Sequence, residues 1–327
     1  MEVFRYSQAR TVEGAVRSGG AAGSSFIAGG TTLVDLMKLN VLQPRALVDI
    51  NGLALDRVEP LPNGGLRIGA MVRNSDLAND ATVRQKYAVL SEALLSGASP
   101  QLRNMATTGG NLLQKTRCYY FRDTNYACNK RQPGSGCSAL DGFNRIHAVL
   151  GGSDHCVATH ASDMAVAMMA LEATVHTQGP KGERAIALDE FYLVPGDTPE
   201  RENVLLPGEL ITHVTLPALA SGTRSRYLKL RDRAQYEFAL ASSAVVVNVS
   251  GGRIESARIA FGGVGTKPWR SREAEHALEG QEASEEVFRR AAEAAMADAK
   301  PLKYNAFKIE LAKRALVRTL KETTQAA

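Results

Sequence analysis

The sequence predicts an α+β fold of several domains, with strands and helices alternating at the start and a strand-rich region before a helical end. A strand–glycine–helix–strand order over residues 25–50 indicates a small α/β unit with parallel strands. Two glycine-containing hairpin signals lie between residues 58 and 188. Beyond residue 227, three strand patterns precede a tail whose apolar residues recur at helical spacing. A chain of 327 residues has room for two or three such domains.

The first unit is predicted from its turn and capping signals. Thr11 is typical of an N-cap before a helix over residues 12–18. The elements predicted next are strand 25–28, a glycine turn at 29–31, helix 33–39 and strand 46–50. Because the glycine turn joins a strand to a helix, the order suits strands that run parallel.

The rest of the chain alternates hairpins with apolar helices. The middle region is predicted to hold a hairpin turning at 63–65, one amphipathic helix over 83–95, a buried helix at 164–171, a hairpin turning at 179–182 and a strand at 214–216. Residues 217–223 read as a linker. The last region is predicted to hold strands 227–230, 244–249 and 258–261, then a helix with Ile309, Ala312, Leu316 and Leu320 on one face.

Composition excludes some classes of protein. The hydrophobic fraction of 44% and the charged fraction of 22% are ordinary for a globular protein. No apolar run approaches the roughly 20 residues that span a membrane. Residues 1–6 lack the apolar core of a signal peptide, so we expect synthesis in the cytosol and no membrane partner. The net charge of +5 is spread along the chain, which predicts no nucleic-acid surface.

Four cysteines, Cys118, Cys128, Cys137 and Cys156, fall within one 39-residue stretch. Because disulfides are disfavoured in the cytosol, this clustering favours a metal centre. Zinc modules usually have cysteines two to four residues apart, whereas the gaps here are nine, eight and eighteen residues. A loop wrapped around a 4Fe–4S cubane suits this spacing better. A zinc site and buried cysteines without metal are the open alternatives.

Two glycine pairs with adjoining threonines are candidate phosphate sites. They lie at residues 28–32 (AGGTT) and 107–111 (TTGGN). Glycine lets backbone N–H groups approach a phosphate closely. Neither loop matches the six-residue dinucleotide fingerprint or a Walker loop, and each alone is consistent with a tight turn. Together, the two loops are able to hold the two ends of a pyrophosphate-bearing cofactor.

The remaining polar candidates have structural alternatives. Asp163 follows Ser162 at a predicted helix N-terminus, where capping alone would account for it. Lys229 opens a stretch of mixed charge that either lies on a solvated face or points at an electron-rich ring. Three histidines near the cysteines are interpreted as structural, because four thiolates complete a ligand set: His147, His155 and His160. The absence of Ser–His–Asp and HExxH patterns predicts no catalytic residue and favours electron transfer.

Six ordered motifs span nearly the whole chain. They lie at residues 26–31, 106–111, 162–163, 208–211, Lys229 with Arg233, and 262–264 followed by 267–268. This order resembles the FAD-binding medium subunit of the molybdenum hydroxylases, the xanthine oxidase family. The resemblance implies a vanillyl-alcohol-oxidase-type FAD-binding domain in two α/β subdomains, residues 1–55 and 56–218. A C-terminal domain of antiparallel sheet with helices is implied for residues 222–327.

The resemblance also implies which residues contact FAD. The first loop, implied to bind the pyrophosphate, contributes Phe26, Ile27, Ala28, Gly29, Gly30, Thr31, Thr32, Leu33 and Val34. The flavin end is implied to be approached by Thr107, Thr108, Gly109, Gly110, Asn111, Ser162, Asp163, Ile211 and Lys229. Thr32 departs from the pattern, because many relatives have Asp or Asn there. We expect little consequence, since the loop acts through its backbone.

The cysteine segment, residues 117–156, resembles an insertion in the flavoprotein subunit of bacterial periplasmic aromatic-aldehyde oxidoreductases. This resemblance implies a 4Fe–4S cluster held by Cys118, Cys128, Cys137 and Cys156 beside FAD. It further implies a heterotrimer, with a large subunit that holds the molybdenum cofactor and a small subunit that holds two 2Fe–2S clusters.

These resemblances lead us to expect an electron-transfer flavoprotein subunit of an aldehyde oxidoreductase. Aldehydes would be oxidised to carboxylic acids in the large subunit, and electrons would pass through 2Fe–2S clusters to FAD and an external acceptor. Co-export with a signal-bearing partner would place the complex in the periplasm, with the cytoplasm as the alternative. Other interpretations are the matching subunit of a 4-hydroxybenzoyl-CoA reductase, a zinc-stapled binding scaffold and a self-sufficient flavin oxidase.

Overall fold

The computed structural model describes residues 1–325 and arranges them around three β-sheets. The sheets follow one another along the chain, so each contains only strands that are close in sequence order. Within the described residues, no helix has the length and hydropathy needed to cross a bilayer. The α+β class expected from the sequence is confirmed.

The first sheet is parallel and small, as predicted. Its unit comprises β1 Arg5–Gln8, α1 Val12–Gly19, β2 Ser24–Ile27, α2 Leu33–Lys38 and β3 Ala46–Asp49. The strands lie in the order β1-β3-β2, and both pairs run parallel. Thr11 caps α1 by accepting a hydrogen bond from the Gly14 amide at 3.1 Å. The strand-to-helix turn at residues 28–32 therefore lies at the carboxyl end of β2.

The second sheet has five antiparallel strands. These are β4 Val58–Pro60, β5 Leu66–Gly69, β6 Thr174–Gly179, β7 Gly182–Ala187 and β8 Leu210–Leu216, in the order β4-β5-β8-β6-β7. The helices of this region are α3 Asn74–Asn79, α4 Ala81–Lys86, α5 Ala88–Ser96, α6 Pro100–Met105, α7 Thr108–Leu112, α8 Tyr119–Arg122, α9 Asp163–Ala170 and α10 Leu188–Phe191. Both predicted hairpins are present.

The single helix predicted over residues 83–95 is wrong, because the chain breaks at Tyr87 into α4 and α5. Tyr87 has φ −124° and ψ 49°, outside the helical region. Its ring is buried, and its hydroxyl donates to the Pro217 carbonyl at 2.9 Å. The amphipathic spacing alone does not reveal that one residue in this stretch leaves the helix to satisfy a distant contact.

The third sheet is antiparallel and carries the C-terminal helices. Its elements are β9 Arg224–Leu230, β10 Ala241–Ser250, β11 Arg253–Gly262, β12 Trp269–Arg270, α11 Arg272–Leu278, α12 Glu285–Ala295 and α13 Phe307–Gln325. Gly251 and Gly252, at φ +54° and +79°, form the turn between β10 and β11. The predicted apolar face of the last helix is confirmed, since Ala312, Leu316 and Leu320 are buried.

The cysteine segment forms a separate layer between α2 and the third sheet's domain. Apart from α8 it is irregular, and its small apolar core contains Phe121, Ala139 and Val157 beside the cysteines. Leu36 of α2 and Val41 complete this core from the first unit. The segment is thus packed directly against the helix that follows the first glycine loop.

Candidate cofactor-binding site

A cleft of about 1130 Å³ runs between the first two units and beneath the loop that joins β9 to β10. Pockets for drug-sized ligands usually measure about 300–1,000 Å³, so this cleft has room for a larger molecule. Most of the predicted cofactor residues line it: Phe26, Ala28, Gly29, Gly30, Thr31, Thr32, Leu33, Thr107, Gly109, Gly110, Asn111, Asp163, Ile211 and Lys229. Residues far apart in sequence therefore meet at one site.

The first glycine loop, residues 28–32, presents unpaired backbone donors to the cleft. Within residues 1–325, the amides of Gly29, Gly30, Thr31 and Thr32 donate to no acceptor. The Thr32 hydroxyl likewise makes no capping hydrogen bond with α2. Adjacent free N–H groups in a turn form an anion-binding concavity, which suits a pyrophosphate.

The two glycines of this loop are required for different reasons. A Cβ on Gly29 would lie 1.9 Å from the Met105 carbonyl oxygen, so Gly29 lets the loop touch the end of α6. Gly30 has φ +70°, a conformation that side chains disfavour, and a Cβ there would meet Val34 Cγ2 at 3.1 Å. We expected both glycines to make room for the cofactor; instead, Gly29 makes room for another part of the chain.

The second glycine loop, residues 107–111, uses its amides within the protein. Thr108 and Gly109 donate to the carbonyls of Val72 and Ala70, at 2.9 and 2.8 Å. Gly110 donates to Thr107 Oγ1 at 3.3 Å, and Asn111 donates to the Thr107 carbonyl at 2.8 Å. This loop therefore offers a close-fitting wall and the Asn111 side chain, but not a set of free amides.

Four of the predicted cofactor residues do not line the cleft: Ile27, Val34, Thr108 and Ser162. The Thr108 hydroxyl is buried and donates to the Val72 carbonyl at 3.1 Å. Ser162 caps α9 by accepting from the Ala165 amide at 2.9 Å, and its hydroxyl donates to Asn111 Oδ1 at 2.7 Å. Thr108 and Ser162 therefore stabilise the wall at residues 107–111 from the side that faces away from the cleft.

Asp163 and Lys229 form a buried ion pair at the cleft. Lys229 Nζ lies 2.7 Å from Asp163 Oδ2 and also donates to the Ser96 carbonyl at 3.2 Å. Tyr227 donates to Asp163 Oδ1 at 2.6 Å, and burial beside that carboxylate raises the pKa of Tyr227 well above its usual value. Ser162, not Asp163, is the helix cap. Lys229 is therefore a cation compensated by Asp163, not a free charge facing a ring.

The β9–β10 loop also belongs to the site, although only its Arg233 carries a family motif and none of its residues was predicted to bind the cofactor. Arg233, Tyr236 and Phe238 line the cleft, and Tyr236 is 56% exposed with φ +55°. The Arg117 guanidinium lies 4.9 Å from the centre of the Phe238 ring, which ties this loop to the cysteine segment. The available signal was two aromatic residues within an otherwise charged loop.

All four cysteines line one small cavity of about 10 Å³. None is in a disulfide, and only Cys137 is partly exposed. Burial raises the pKa of the Cys118 thiol to about 12 and also raises the pKa of Cys137 and Cys156. Within residues 1–325, no three His, Cys, Asp or Glu side chains are arranged to hold a single metal ion. Four thiols around a shared cavity fit a multi-iron cluster, whose ligands stand further apart than those of one ion.

The basic residues of the cysteine segment are largely committed to other contacts. Arg117 and Arg122 pair with Asp35 of α2, at 3.3 and 2.8 Å. Lys130 lines the cysteine cavity and pairs with Glu202 at 3.1 Å. Arg131 donates to carbonyls around α8, including that of Phe121 at 2.7 Å. Of these four basic residues, Lys130 alone lines the cysteine cavity and is in a position to offset negative charge there.

The three histidines differ in their environments. His155 is half exposed and lies 3.4 Å from Asp197. His160 is half-buried, its ring packs against that of Tyr192, and its Nδ1 accepts from the Ser162 amide at 3.2 Å. His147 is buried with Nε2 3.1 Å from Cys118 Sγ, and burial lowers its pKa to about 4. No spacing or motif in the sequence indicates that one of these histidines contacts a cysteine.

Fold and cleft together define a class: a protein that holds a large phosphate-bearing cofactor between two domains, beside a cysteine-lined cavity. The sequence profile of the FAD binding domain in molybdopterin dehydrogenase matches residues 2–219. The profile of the CO dehydrogenase flavoprotein C-terminal domain matches residues 226–323. The two matches meet near residues 217–223, which join the second and third sheets.

Individual proteins give the same result. The aldehyde oxidoreductase FAD-binding subunit PaoB of Escherichia coli strain K12 is 53% identical over 324 residues, with 98% of both chains covered. The glyceraldehyde dehydrogenase medium chain of Sulfolobus acidocaldarius is 28% identical over 88% of this chain and 84% of its own. A solved carbon monoxide dehydrogenase from Hydrogenophaga pseudoflava superposes with a TM-score of 0.77 at 28% identity, over 98% of this chain and 96% of that one.

This chain belongs to the FAD-binding medium subunits of the molybdenum hydroxylase family, as its motifs predicted. FAD is therefore a cofactor of this chain. The scaffold interpretation, in which the glycine turns have no ligand, is wrong.

Proposed function

We propose that this chain is the electron-transfer subunit of a heterotrimeric, molybdenum-dependent aldehyde oxidoreductase. The observation that carries the proposal is the 53% identity to an aldehyde oxidoreductase FAD-binding subunit over nearly the full length of both chains. Aromatic aldehydes are oxidised to carboxylic acids in a large subunit that holds the molybdenum cofactor. Electrons then pass through the 2Fe–2S clusters of a small subunit to FAD and to an external acceptor.

Within this scheme the chain's own residues bind and orient FAD. When bound, FAD accepts electrons from the one-electron iron–sulfur carriers and delivers them to the acceptor. The free amides of residues 29–32 bind the pyrophosphate. The Asp163–Lys229 pair and the wall at residues 107–111 lie at the flavin end, and the aromatic side chains of the β9–β10 loop cover the opening.

We further propose that Cys118, Cys128, Cys137 and Cys156 hold one 4Fe–4S cluster. Support comes from the four thiols around one cavity and from the resemblance of residues 117–156 to an insertion that carries such a cluster. The arginines that flank Cys118 pair with Asp35 on the helix following the pyrophosphate loop. The cluster would therefore share a wall with the FAD site, as an electron carrier requires.

For location we propose the periplasm, reached by co-export with a partner that bears the export signal. The supporting observation is the resemblance of the cysteine segment to periplasmic enzymes. Fractionation of cells, followed by detection of this chain, tests the location directly. Recovery in the cytoplasmic fraction only would favour the alternative.

The metal and flavin content of the anaerobically purified complex tests the assembly. We expect one FAD, one molybdenum and about eight iron atoms, four from this chain's cubane and four from two 2Fe–2S clusters. Cys137→Ser should lower the iron to about four while FAD is retained, because the FAD loop lies elsewhere. The matched control is Ser138→Ala, which is next to Cys137 but does not line the cysteine cavity. Stoichiometric zinc with only four iron atoms would overturn the cluster assignment.

Flavin bleaching by aldehyde tests the division of labour. In the complete complex, aldehyde should reduce the flavin rapidly. In complex from cells grown with tungstate in place of molybdate, the flavin should remain oxidised, because the large subunit is inactive while this chain is unchanged. Rapid bleaching in the tungstate-grown complex would instead support the self-sufficient oxidase.

A substitution in the first glycine loop tests the position of the cofactor. Gly30→Val places a branched side chain at φ +70° next to the free amides. We expect folded complex with little FAD. Normal FAD content in that variant would remove residues 28–32 from the site.

A further inference from the structure

We propose that His147 donates an N–H···S hydrogen bond to Cys118 and thereby raises the reduction potential of the iron–sulfur cluster. This inference rests on the proposed cluster and adds to it a tuning residue that the cysteine spacing does not reveal. His147 is not a ligand in this proposal; it acts on the cluster through the sulfur of one ligand.

The geometry leaves the imidazole one polar partner. Nε2 of His147 lies 3.1 Å from Cys118 Sγ, and the side chain is buried. Nδ1 has no hydrogen-bond partner within residues 1–325. A buried ring with one polar contact is oriented by that contact. The contact with the Cys118 sulfur therefore determines the orientation of the His147 imidazole.

Binding of iron determines which atom donates. A cysteine bound to iron is a thiolate and has no proton, so it only accepts a hydrogen bond. The imidazole must then carry its proton on Nε2. Nδ1 is left with a lone pair in apolar surroundings, and no N–H group is buried without an acceptor.

The C-terminal domain holds His147 in this position. Lys308 of α13 donates from Nζ to the carbonyls of Ile146 and His147, at 3.0 and 2.9 Å, and to that of Gly263. Asn305 donates to the carbonyls of His147 and Ala148, each at 3.2 Å. Four hydrogen bonds from two side chains thus hold the backbone carbonyls of residues 146–148, which makes Lys308 and Asn305 positioning residues.

Lys308 is also a buried amine, and burial lowers its pKa to about 7. It is fully buried, and within the described chain no carboxylate lies within ion-pair distance of its Nζ. A buried ammonium without a counter-ion is costly. A cluster bound by four thiolates is anionic, so it supplies the missing negative charge on the other side of the residue 146–148 segment.

The direction of the effect follows from charge. Reduction adds an electron to the cluster and increases the negative charge on its sulfurs. Hydrogen bonds to an ionised acceptor strengthen as that charge grows, and hydrogen bonds to sulfur are among the main determinants of cluster potential. An N–H donor at Cys118 therefore favours the reduced state.

The test is an EPR-monitored redox titration of the anaerobically purified complex. His147→Leu removes the donor and should lower the equilibrium constant for cluster reduction about tenfold, which is about 59 mV for one electron. His147→Gln keeps an N–H group at similar reach and should restore most of the shift. The matched control is His155→Leu, because that imidazole also lies near a cysteine but is exposed and faces Asp197; it should leave the potential unchanged.

A second measurement does not depend on any variant. With [15N]histidine incorporated, pulsed EPR of the reduced cluster should show a weak coupling to one histidine nitrogen. Equal potentials in all variants, or no histidine coupling in a complex that contains the cubane iron, would overturn the role of His147 alone. Lack of the cubane iron in the unaltered complex would instead overturn the cluster, and this inference with it.

Discussion

The two glycine loops of the FAD cleft share a Gly-Gly pair with adjoining threonines, yet they use their backbones differently. In residues 28–32, four consecutive amides have no partner within the described chain. In residues 107–111, the amides bind carbonyls and a side chain of the same protein. The first loop therefore has free amides that can bind an anion, whereas the second loop forms one wall of the cleft. The two loops are distinguished by whether their amides are hydrogen-bonded within the protein, not by the presence of glycine.

The two ends of the cleft also differ in how they supply positive charge. At the first loop, binding uses partial positive charges on the backbone, which need no counter-ion. At the second, a full charge on Lys229 is matched by Asp163 within 2.7 Å. Substitutions of the polar side chains should consequently affect cofactor content at the first end and stability at the second.

The largest effect is expected for Lys229→Met. It leaves the Asp163 carboxylate buried and unpaired, which should cost about 3–5 kcal/mol of unfolding free energy. The double variant Asp163→Asn with Lys229→Met removes both charges and should recover most of that loss. Urea unfolding followed by flavin release measures both. The control is Lys300→Met on the surface; a single variant no less stable than this control would show that the pair is not buried in solution.

The next largest loss of stability is expected for Gly29→Ala, which tests the difference between the two loops. In Gly29→Ala, the new methyl group would meet the Met105 carbonyl, so the loop and the end of α6 must separate. Overpacking of this kind should cost about 3 kcal/mol and lower FAD content as well. Gly110→Ala in the second loop is the control, because its only close neighbour is the Thr107 hydroxyl at 3.0 Å. Similar losses in both variants would contradict the distinction.

A pair of threonine substitutions should give opposite outcomes at the two loops. Thr108→Val removes a buried hydrogen bond to the Val72 carbonyl, leaving that carbonyl with one partner fewer, and should cost about 1 kcal/mol with near-normal FAD affinity. Thr31→Val removes a hydroxyl that lines the cleft and should weaken FAD binding without loss of stability. FAD titration of the apo-complex and thermal unfolding measure the two quantities. A weakened FAD affinity in Thr108→Val would place that hydroxyl in the site after all.

Where an element was predicted from the sequence, its type was mostly right, because each such element depends on local signals. The turn glycines, the Thr11 cap and the apolar spacing of α13 all act within a few residues. Prediction failed at Tyr87, where the helix breaks for a hydrogen bond to a residue 130 positions away. Contacts over such distances leave no periodicity in the sequence.

The site was predictable to the extent that its residues carry motifs. Both loops, Asp163 and Lys229 are brought to one cleft, as the motif order implied. Whether their polar groups are free or hydrogen-bonded was not predictable. It depends on partners such as the carbonyls of Ala70 and Val72, which belong to no motif. His147 was missed for the same reason: its contact with Cys118 depends on how the C-terminal domain holds the segment around it.

The smallest effect is expected for Asp35→Asn, which tests how the first loop is anchored. Asp35 of α2 pairs with Arg122 and Arg117, whereas the second loop is anchored by the neutral Ser162–Asn111 hydrogen bond. The hydrogen bond from Arg122 and the charge of both arginines hold the pKa of Asp35 below its usual value. Because Asp35 is partly exposed, its removal should cost about 1 kcal/mol or less at pH 7.

The pH dependence of that difference has a definite sign. A carboxyl whose folded pKa is lowered stabilises the fold above its unfolded pKa of about 4, and this contribution disappears as the pH falls through the folded value. The stabilities of the parent complex and Asp35→Asn should therefore differ at pH 7 and converge below about pH 4. Asp76→Asn, at the start of α3 and without an arginine partner in the described chain, is the control and should leave the stability at pH 7 close to that of the parent. A pH-independent gap for Asp35→Asn would mean that the carboxylate charge does not anchor the first loop.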